Sequence, residues 1–150
     1  MDNRLMLNNA AYLPGRSLSF TKNTDATRLR VLYLDNTATG GGNWQACRYE
    51  LRIDNAPCSA TVNIAGDVYR DARDNAHEFR TFLGYCDNVK AGAHTLSVYV
   101  RATPAAAQYA NSQCMTGWGG VQNTATMTLE VEEMDPTEVR IHVRSSHVTL

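Results

Sequence analysis

The sequence lacks any long apolar run, since no stretch approaches the roughly 18 residues that a membrane-spanning helix needs. Its N-terminus, MDNRLMLNNAAYLPG, also lacks the basic and then apolar profile of a signal peptide. No Asn-x-Ser/Thr glycosylation site occurs in the 150 residues. We therefore expect no insertion into a membrane, and a eukaryotic secreted glycoprotein is disfavoured.

Lysine is scarce. Lys22 and Lys90 are the only lysines among the 14 basic residues, and the others are all arginine. With 15 acidic residues the formal net charge is −1, so the chain lacks the basic surface that displaces counterions from nucleic acid, and we expect no nucleic-acid partner. Arginine forms planar, bidentate contacts and tolerates partial burial. Its excess therefore indicates fixed ion pairs, although a bias in codon usage would give the same count.

Recognisable catalytic and metal-binding motifs are also missing. There is no G-x-S-x-G sequence, and no pair has the i, i+4 spacing of a helical zinc site among His77, His94, His142 and His147. Asp67, Asp71 and Asp74 offer oxygen ligands for calcium but lack the spacing and the glycine of an EF-hand loop, so we interpret them as solvated carboxylates. We expect no enzymatic activity, no metal and no cofactor. The sequence leaves open a pair of carboxylates that cleaves a polysaccharide, because the distance between two such groups depends on the fold and cannot be seen in the sequence.

The four cysteines are even in number and too widely spaced for a C-x-x-C metal site: Cys47, Cys58, Cys86 and Cys114. One interpretation is two disulfides in an extracellular setting, for which three connectivities are possible. The other is four buried thiols that pack as small apolar side chains. The residues alone leave this choice open.

The sequence does contain a period-two alternation of apolar and polar residues over most of its length. In residues 28–35, Leu29, Val31 and Tyr33 fall on one face of an extended chain, and Leu32 and Leu34 fall on the other. The same alternation occurs in residues 17–21, 46–54, 95–100, 126–133 and 139–144. Short alternating segments separated by Gly, Asn, Asp and Pro predict one all-β domain, a β-sandwich or jelly roll, over residues 1–150.

Two segments need separate treatment. Residues 68–83 also repeat apolar side chains at helical spacing. We favour a strand, a polar loop at 71–75 and a second strand from Glu78 to Tyr85, with a short helix as the alternative. Beyond the turn MDPT, residues 137–146 are predicted to add a C-terminal strand. Its hairpin with residues 126–133 sets two glutamates against basic residues, namely Glu130 and Glu132 against Arg140, His142 and Arg144.

Several fragments occur in a characteristic order over about residues 17–134: SFTK with ATRLRVLY, ACRYELRIDNAPCS, HEFRTFLGYCDNVKAGAHTLSVYV, CMTGW and LEVEEM. Their matching positions are Cys58, His77, Cys86, Gly92, Cys114, Gly117 and Trp118. This ordered set resembles the C-terminal domain of collagen triple helix repeat-containing proteins. The sequence differs from that family in having no Gly-X-Y segment, a shorter loop between Tyr69 and His77, and the added strand beyond Asp135.

The resemblance implies a jelly roll of the C1q and tumour necrosis factor type that forms a homotrimer, binds a target and catalyses nothing. Similar domains cap bacterial adhesins and phage fibres, which implies an extracellular location or a virion surface. With this fold in mind, we expect Cys58 to pair with Cys86 and Cys47 to pair with Cys114.

A trimer needs apolar side chains that lie outside the core of each subunit. Alternation leaves four such side chains off the intramolecular core, and we expect them at the interface between subunits: Leu32, Leu34, Tyr99 and Tyr109. The alternative is that they are scattered surface residues, which are normal in soluble proteins.

Glycan binding is the sharpest ligand hypothesis. Sugar sites stack an aromatic ring on the apolar face of the sugar and surround it with planar polar groups. One loop region supplies such a set: Trp118, Tyr109, Gln108, Asn111 and Gln113. Trp118 has the alternative role of an anchor in the core or the trimer interface. An anionic polysaccharide would instead contact a set of arginines: Arg28, Arg30, Arg48 and Arg52.

We therefore predict a non-enzymatic, trimeric head or tip of a phage or bacterial fibre or particle, which mediates attachment to a receptor or glycan. Its expected partners are further copies of itself, a fibre, tail or capsid protein of the same particle, and a cell-surface glycan. The rival hypothesis is a purely structural module that decorates or trimerises a virion or surface appendage. A polysaccharide-cleaving enzyme is the third.

Overall fold

A computed structural model of the chain describes residues 5–6, 10–40, 45–58, 63–70, 78–103, 113–116 and 127–137. Within these ranges the chain forms ten β-strands and no helix. The strands are β1 (Leu5–Met6), β2 (Ala11–Lys22), β3 (Arg28–Gly40), β4 (Gln45–Ile53), β5 (Ala56–Pro57), β6 (Ile64–Arg70), β7 (Glu78–Cys86), β8 (Gly92–Ala102), β9 (Gln113–Thr116) and β10 (Thr128–Met134). They build two antiparallel sheets, which confirms the predicted all-β jelly-roll sandwich.

The first sheet, called the β3 sheet, contains β1, β9, β3, β10 and β7. Its central strand β3 pairs with β7 along residues 29–37 and with β10 along residues 28–34. The last residues of β3 pair with β9. In this register Leu32 lies between Leu83 of β7 and Glu130 of β10. Neighbouring side chains of three strands therefore share one outer face.

The second sheet, called the β4 sheet, contains β2, β8, β4, β5 and β6. Strand β4 pairs with β8 and β6, and its last two residues pair with β5. Asp54 and Asn55 link β4 to β5 with φ angles of 51° and 68°. Asp and Asn tolerate this left-handed conformation, which a two-residue hairpin turn requires. The sequence DNAP, which interrupts the alternation after Ile53, therefore supplies a tight turn in its first two residues and strand β5 in its last two.

The core lies between the two sheets and is filled by the inward positions of the alternating segments. Leu29, Val31 and Tyr33 of β3 are each at most 1% exposed, as predicted from their alternation. The ring of Phe82 stacks between Tyr33 and Tyr49, with centroid distances of 5.8 and 5.6 Å. Aromatic rings from both sheets therefore interlock at the centre of the sandwich.

Both expected disulfides form, and each one joins the two sheets. Cys47 of β4 bonds to Cys114 of β9, and Cys58, just after β5, bonds to Cys86 of β7. All four sulfur atoms are therefore committed to the framework. The interpretation as four buried thiols does not hold in this structure.

Strands β6 and β7 lie side by side at one edge of the sandwich and approach each other closely. A Cβ atom on Gly66 would lie 2.5 Å from Cε1 of Phe82, and one on Gly84 would lie 2.5 Å from Cγ1 of Ile64. Both distances are too short for real atoms, so glycine is required where these strands pack. The strands also show that both ends of the ambiguous 68–83 stretch are extended, while residues 71–77 lie outside the described part.

The predicted C-terminal strand at 137–146 lies almost wholly outside the described residues, which end at Thr137 in this region. The predicted pairing of Glu130 and Glu132 with this strand therefore stays a prediction. On the side of β3, both glutamates have a cation beside them. Arg30 Nη1 lies 3.2 Å from Glu132 and 3.9 Å from Glu130.

Candidate functional site

The outer face of the β3 sheet carries large apolar side chains. We call this set the apolar face: Leu32, Leu34, Phe79, Leu83 and Tyr85. Leu32 lies directly opposite Leu83 of β7. Phe79 and Tyr85 lie on the same face as Leu83, because each is separated from it by an even number of residues along the strand. Phe79 is 60% exposed, Leu83 49% and Tyr85 42%, whereas the two β3 leucines are half-buried. Neighbouring exposed apolar residues of this size are typical of an interaction surface.

Charged residues border the apolar face. Arg28 Nε lies 3.2 Å from Asp87, and its guanidinium lies 4.6 Å from the centre of the Tyr85 ring. Arg30 lies beside the glutamates of β10. The face therefore has an apolar centre and a polar border, which is the usual anatomy of a protein–protein interface.

The outer face of the β4 sheet has a different chemistry. We call this set the arginine–tyrosine face: Tyr12, Arg48, Glu50, Arg52, Asp67, Tyr99 and Arg101. At its centre Glu50 is only 2% exposed, although it points away from the core. One of its oxygens accepts a hydrogen bond from Arg101 Nε at 2.6 Å, and the other accepts two from Arg52, at 3.1 and 2.7 Å.

Aromatic rings complete the cover over Glu50. The guanidinium of Arg52 lies 3.6 Å above the centre of the Tyr99 ring. The Tyr99 ring in turn contacts the ring of Tyr12 at a centroid distance of 5.0 Å. Burial opposes ionisation of Glu50, but the hydrogen bonds from Arg101 and Arg52 outweigh it, so the pKa of Glu50 lies below its ordinary value. The carboxylate is thus charged and holds both guanidiniums in place.

Arg48 occupies the neighbouring row of the arginine–tyrosine face. Its Nε and Nη2 atoms donate to the two oxygens of Asp67, at 2.7 and 2.9 Å. These hydrogen bonds raise the pKa of Arg48, so it stays charged. On the other side, Arg48 lies directly opposite Arg101 of β8.

A third polar cluster lies where the β4–β5 turn meets the start of β8. His94 Nδ1 lies 2.6 Å from Asp54 and Nε2 lies 2.8 Å from the carbonyl oxygen of Lys90. The hydrogen bond with Asp54 raises the pKa of His94, and the same bond lowers the pKa of Asp54. Both ring nitrogens thus face acceptors, which only the protonated imidazole satisfies fully. The cluster borders a shallow groove of about 330 Å³.

Glu133 fastens β10 to the β2–β3 turn. Its carboxylate accepts hydrogen bonds from the Thr27 hydroxyl at 2.5 Å and from the backbone N–H groups of Asn23 and Thr24 at 3.0 and 3.2 Å. These bonds lower the pKa of Glu133 to about 2. The buried Lys22 ammonium donates to Thr27 and to the Thr24 carbonyl in the same cluster. We interpret this cluster as a structural lock.

The residues predicted for sugar stacking fall mostly outside the described ranges: Trp118, Tyr109, Gln108 and Asn111. Gln113 begins β9. The histidines at 77, 142 and 147 and the aspartates at 71 and 74 are likewise outside the described ranges. Their predicted roles remain predictions.

The structure separates the four arginines predicted for an anionic polysaccharide. Arg28 and Arg30 lie on the β3 sheet, and Arg48 and Arg52 lie on the β4 sheet. Because each of these side chains points away from the core, the two pairs face opposite sides of the sandwich. They therefore cannot contact one ligand together, and each is also paired with a carboxylate.

Tyr99 is likewise separated from the leucines with which it was grouped. It lies on the arginine–tyrosine face, under the guanidinium of Arg52, whereas Leu32 and Leu34 lie on the apolar face. Alternation within a strand reports which side chains avoid the core. It does not report which sheet the strand joins, so alternation alone does not show which outward side chains share a surface. The expected role of Tyr99 at a trimer interface stays a prediction.

Alternation predicted that Arg48, Glu50 and Arg52 share an outward, salt-bridged face, but sequence reasoning missed the other residues that complete the two faces: Phe79, Leu83, Tyr85, Tyr12 and Arg101. The signal was present for some of them. Arg101 follows Tyr99 by two residues and so shares its face, and Leu83 and Tyr85 alternate with the buried Phe82. The hydrogen-bonded burial of Glu50 had no signal in the sequence, because it depends on arginines from two strands.

Within the described ranges, no group of three or more His, Cys, Asp or Glu side chains is arranged to hold a metal ion. No helix there has the length and apolar character needed to cross a membrane. The CTHRC1, C-terminal domain family model matches residues 10–125, which is more than half of the chain. A comparison with curated proteins found no match.

Proposed function

The chain belongs to the CTHRC1 C-terminal domain family, and from this premise we propose that it is a non-enzymatic, trimeric head that attaches a fibre or particle to its target. The domain is of the secreted type, and its two disulfides are typical of proteins in an oxidising, extracellular environment. The finer part of the proposal is a place on a virion or on a surface appendage, bound to a fibre, tail or capsid protein.

The observation that carries the proposal is the apolar face. Three of its side chains are more than two-fifths exposed in the single chain, and they lie next to two half-buried leucines. Water-exposed apolar area of this kind is stabilised when a partner covers it, by about 25 cal/mol for each Å² removed from water. A further copy of the same chain is always available to provide that cover.

A cyclic trimer uses two different surfaces of each subunit, because each subunit contacts its two neighbours through different patches. Seen from one subunit, the two neighbours of a three-membered ring lie about 60° apart. Two opposite faces of a sandwich cannot meet this condition, so the arginine–tyrosine face does not serve as the second surface.

The edge next to the apolar face does meet the condition. Strands β6 and β7 have no further strand partner on this edge among the described residues, and they line a groove of about 400 Å³. Leu83 and Tyr85 belong to both the groove and the apolar face. We infer that the apolar face of one subunit packs against the β6–β7 edge of the next, which leaves the arginine–tyrosine face directed outward.

Two measurements test this function. Light scattering coupled to size-exclusion chromatography is expected to give the mass of three chains, and a glycan array is expected to show binding. A trimer that binds no glycan would favour the purely structural module instead. A monomer at micromolar concentration would contradict the proposal, and turnover of any polysaccharide would replace it with an enzymatic function.

A further inference from the structure

Two arginines face each other on the outer surface of the β4 sheet. Arg48 of β4 and Arg101 of β8 are direct partners across the two strands. Side chains in such positions have Cβ atoms about 5 Å apart, and like charges there are unfavourable. Each of the two positive charges has one carboxylate partner, Asp67 or Glu50, and an anion placed between them would give both a second partner.

Each arginine is held by a different carboxylate, Asp67 of β6 for Arg48 and Glu50 of β4 for Arg101. Asp67 binds Nε and Nη2 of Arg48, and the buried Glu50 binds Nε of Arg101. An arginine has five N–H groups, so these bonds orient both guanidiniums without using all of their donors. The two side chains are thus fixed before any ligand arrives, which reduces the entropy that binding would otherwise lose.

An aromatic surface adjoins this pair. Tyr99 lies two residues before Arg101 on the same face of β8, a separation of about 7 Å along the strand. Its ring contacts Tyr12 of β2, which is 37% exposed. Two aromatic rings therefore lie on the same face as the two guanidiniums, one outward row along the strands. The whole face has three arginines and two carboxylates, Glu50 and Asp67, and so keeps one excess positive charge.

We propose that the arginine–tyrosine face binds an acidic sugar chain, with a sugar carboxylate between Arg48 and Arg101 and the apolar face of a sugar ring against Tyr12. A uronic or sialic acid carries its carboxylate directly on a rigid ring, so adjoining residues of one acidic sugar chain can make both contacts. An acidic peptide carries its carboxylate on a flexible stem and offers no rigid ring for Tyr12, so the geometry favours the sugar.

This inference rests on the proposed attachment function and names the chemistry of its target. The two remain separable by experiment. A trimer that fails to bind acidic sugars would overturn the inference and leave the trimeric head intact. A monomer that binds them would support the inference and contradict the trimer.

The experiment is a titration of the full chain with glucuronic-acid oligosaccharides, followed by calorimetry or by NMR chemical shifts. The matched probe is a neutral glucose oligosaccharide of the same length, and a short poly-glutamate peptide tests the alternative ligand. We expect binding to the acidic sugar alone. Arg48→Gln should weaken it at least about tenfold, because a charged hydrogen-bonding partner is lost.

Arg48→Gln is the cleanest variant because the side chain of its partner Asp67 is 41% exposed and keeps contact with water, so folding should be little affected. Tyr12→Ala should weaken binding separately by removing the aromatic surface. Lys90→Gln is the charge-matched control, since Lys90 also pairs with an exposed carboxylate but lies away from the face. Equal binding of the neutral sugar, equal or tighter binding of the peptide, absence of acidic-sugar binding, or an equal loss in Lys90→Gln would each overturn the inference.

Discussion

The two outer faces of this sandwich arise from the same alternation of side chains, yet their side chains differ in whether they find partners within the subunit. On the β3 sheet, Phe79 and Leu83 are exposed to water although they are apolar. On the β4 sheet, Glu50 is buried although it is charged, because Arg52 and Arg101 cover it and supply its hydrogen bonds. The apolar face still requires a partner, whereas the arginine–tyrosine face has satisfied its central charge within the subunit.

This difference shows that the polarity of a side chain does not by itself decide whether it is buried, because its neighbours on adjacent strands also matter. A carboxylate is removed from water when two guanidiniums replace its solvent. On the apolar face, the side chains of Phe79 and Leu83 instead remain about half exposed to water. The assignment of one face to assembly and the other to a ligand follows from this difference, and four predictions test it.

The largest effect is expected on the apolar face. Leu83→Glu should convert the trimer into a monomer, because assembly would bury an unpaired charge. Leu83 is half exposed in the subunit, so the thermal unfolding of the monomer should change little. Light scattering measures the mass. Ser19→Glu, an exposed position on the outer face of the β4 sheet, is the control and should remain trimeric; its dissociation would contradict the assignment of faces.

The second prediction concerns the two disulfides, each of which joins the β3 sheet to the β4 sheet. Replacing both Cys47 and Cys114 with Ser should lower the free energy of unfolding by about 2–5 kcal/mol, because the unfolded chain loses a cross-link. The Cys58–Cys86 pair spans 28 residues rather than 67. Removing it should therefore lower the free energy of unfolding by less than removing the first pair does, and the difference should be roughly 1 kcal/mol or under. Denaturant titration measures both, and no loss in either variant would contradict the role assigned to the disulfides.

The third prediction compares one glutamate from each sheet. Glu50→Gln should lower the free energy of unfolding by about 2 kcal/mol, because charge-assisted hydrogen bonds to two arginines are lost in a buried site. Glu132→Gln removes an exposed partner of Arg30 and should cost less than about 1 kcal/mol. Urea unfolding measures the difference. Equal costs would show that burial of Glu50 contributes nothing to stability.

The smallest effect is expected at the His94 cluster. The pKa of His94 is raised above its ordinary value of 6.5, so its contribution is complete below that pH and is lost as the pH rises through the folded-state pKa. The free energy of unfolding should therefore fall as the pH rises above 6.5, by roughly 0.2–1 kcal/mol, the scale of a partly exposed ion pair. His94→Gln should remove this part of the pH dependence of the melting temperature. An unchanged profile would contradict the assignment.

Local pattern was enough to predict much of the fold. The alternation of Leu29, Val31 and Tyr33 predicted the inner face of β3, and the fragment order predicted the jelly roll and both disulfide pairs. The helical spacing in residues 68–83 was a weaker signal than the strand propensity on either side. Strands β6 and β7 pack closely where Gly66 and Gly84 carry no side chain, and the helical spacing of apolar residues gave no sign of this contact.

Which site residues share a surface could be predicted less well, for one reason. Arg28 and Arg48 look equivalent in the sequence, as do Leu32 and Tyr99, because each lies off the core in an alternating segment. Their surroundings depend on which strands pair with theirs, and those partners are distant in the chain. The direct juxtaposition of Arg48 and Arg101 joins residues that are far apart in sequence and was not predicted.

The sequence by itself determined that the chain would form short strands with one buried side, because a period of two is a local property of extended backbone. It also determined, through its resemblance to a family, how the cysteines pair. Only the tertiary structure decided which outward residues became neighbours. Strand order and register set the distance between side chains on a face, and they placed leucines beside exposed aromatic rings on one sheet and arginines around a buried carboxylate on the other.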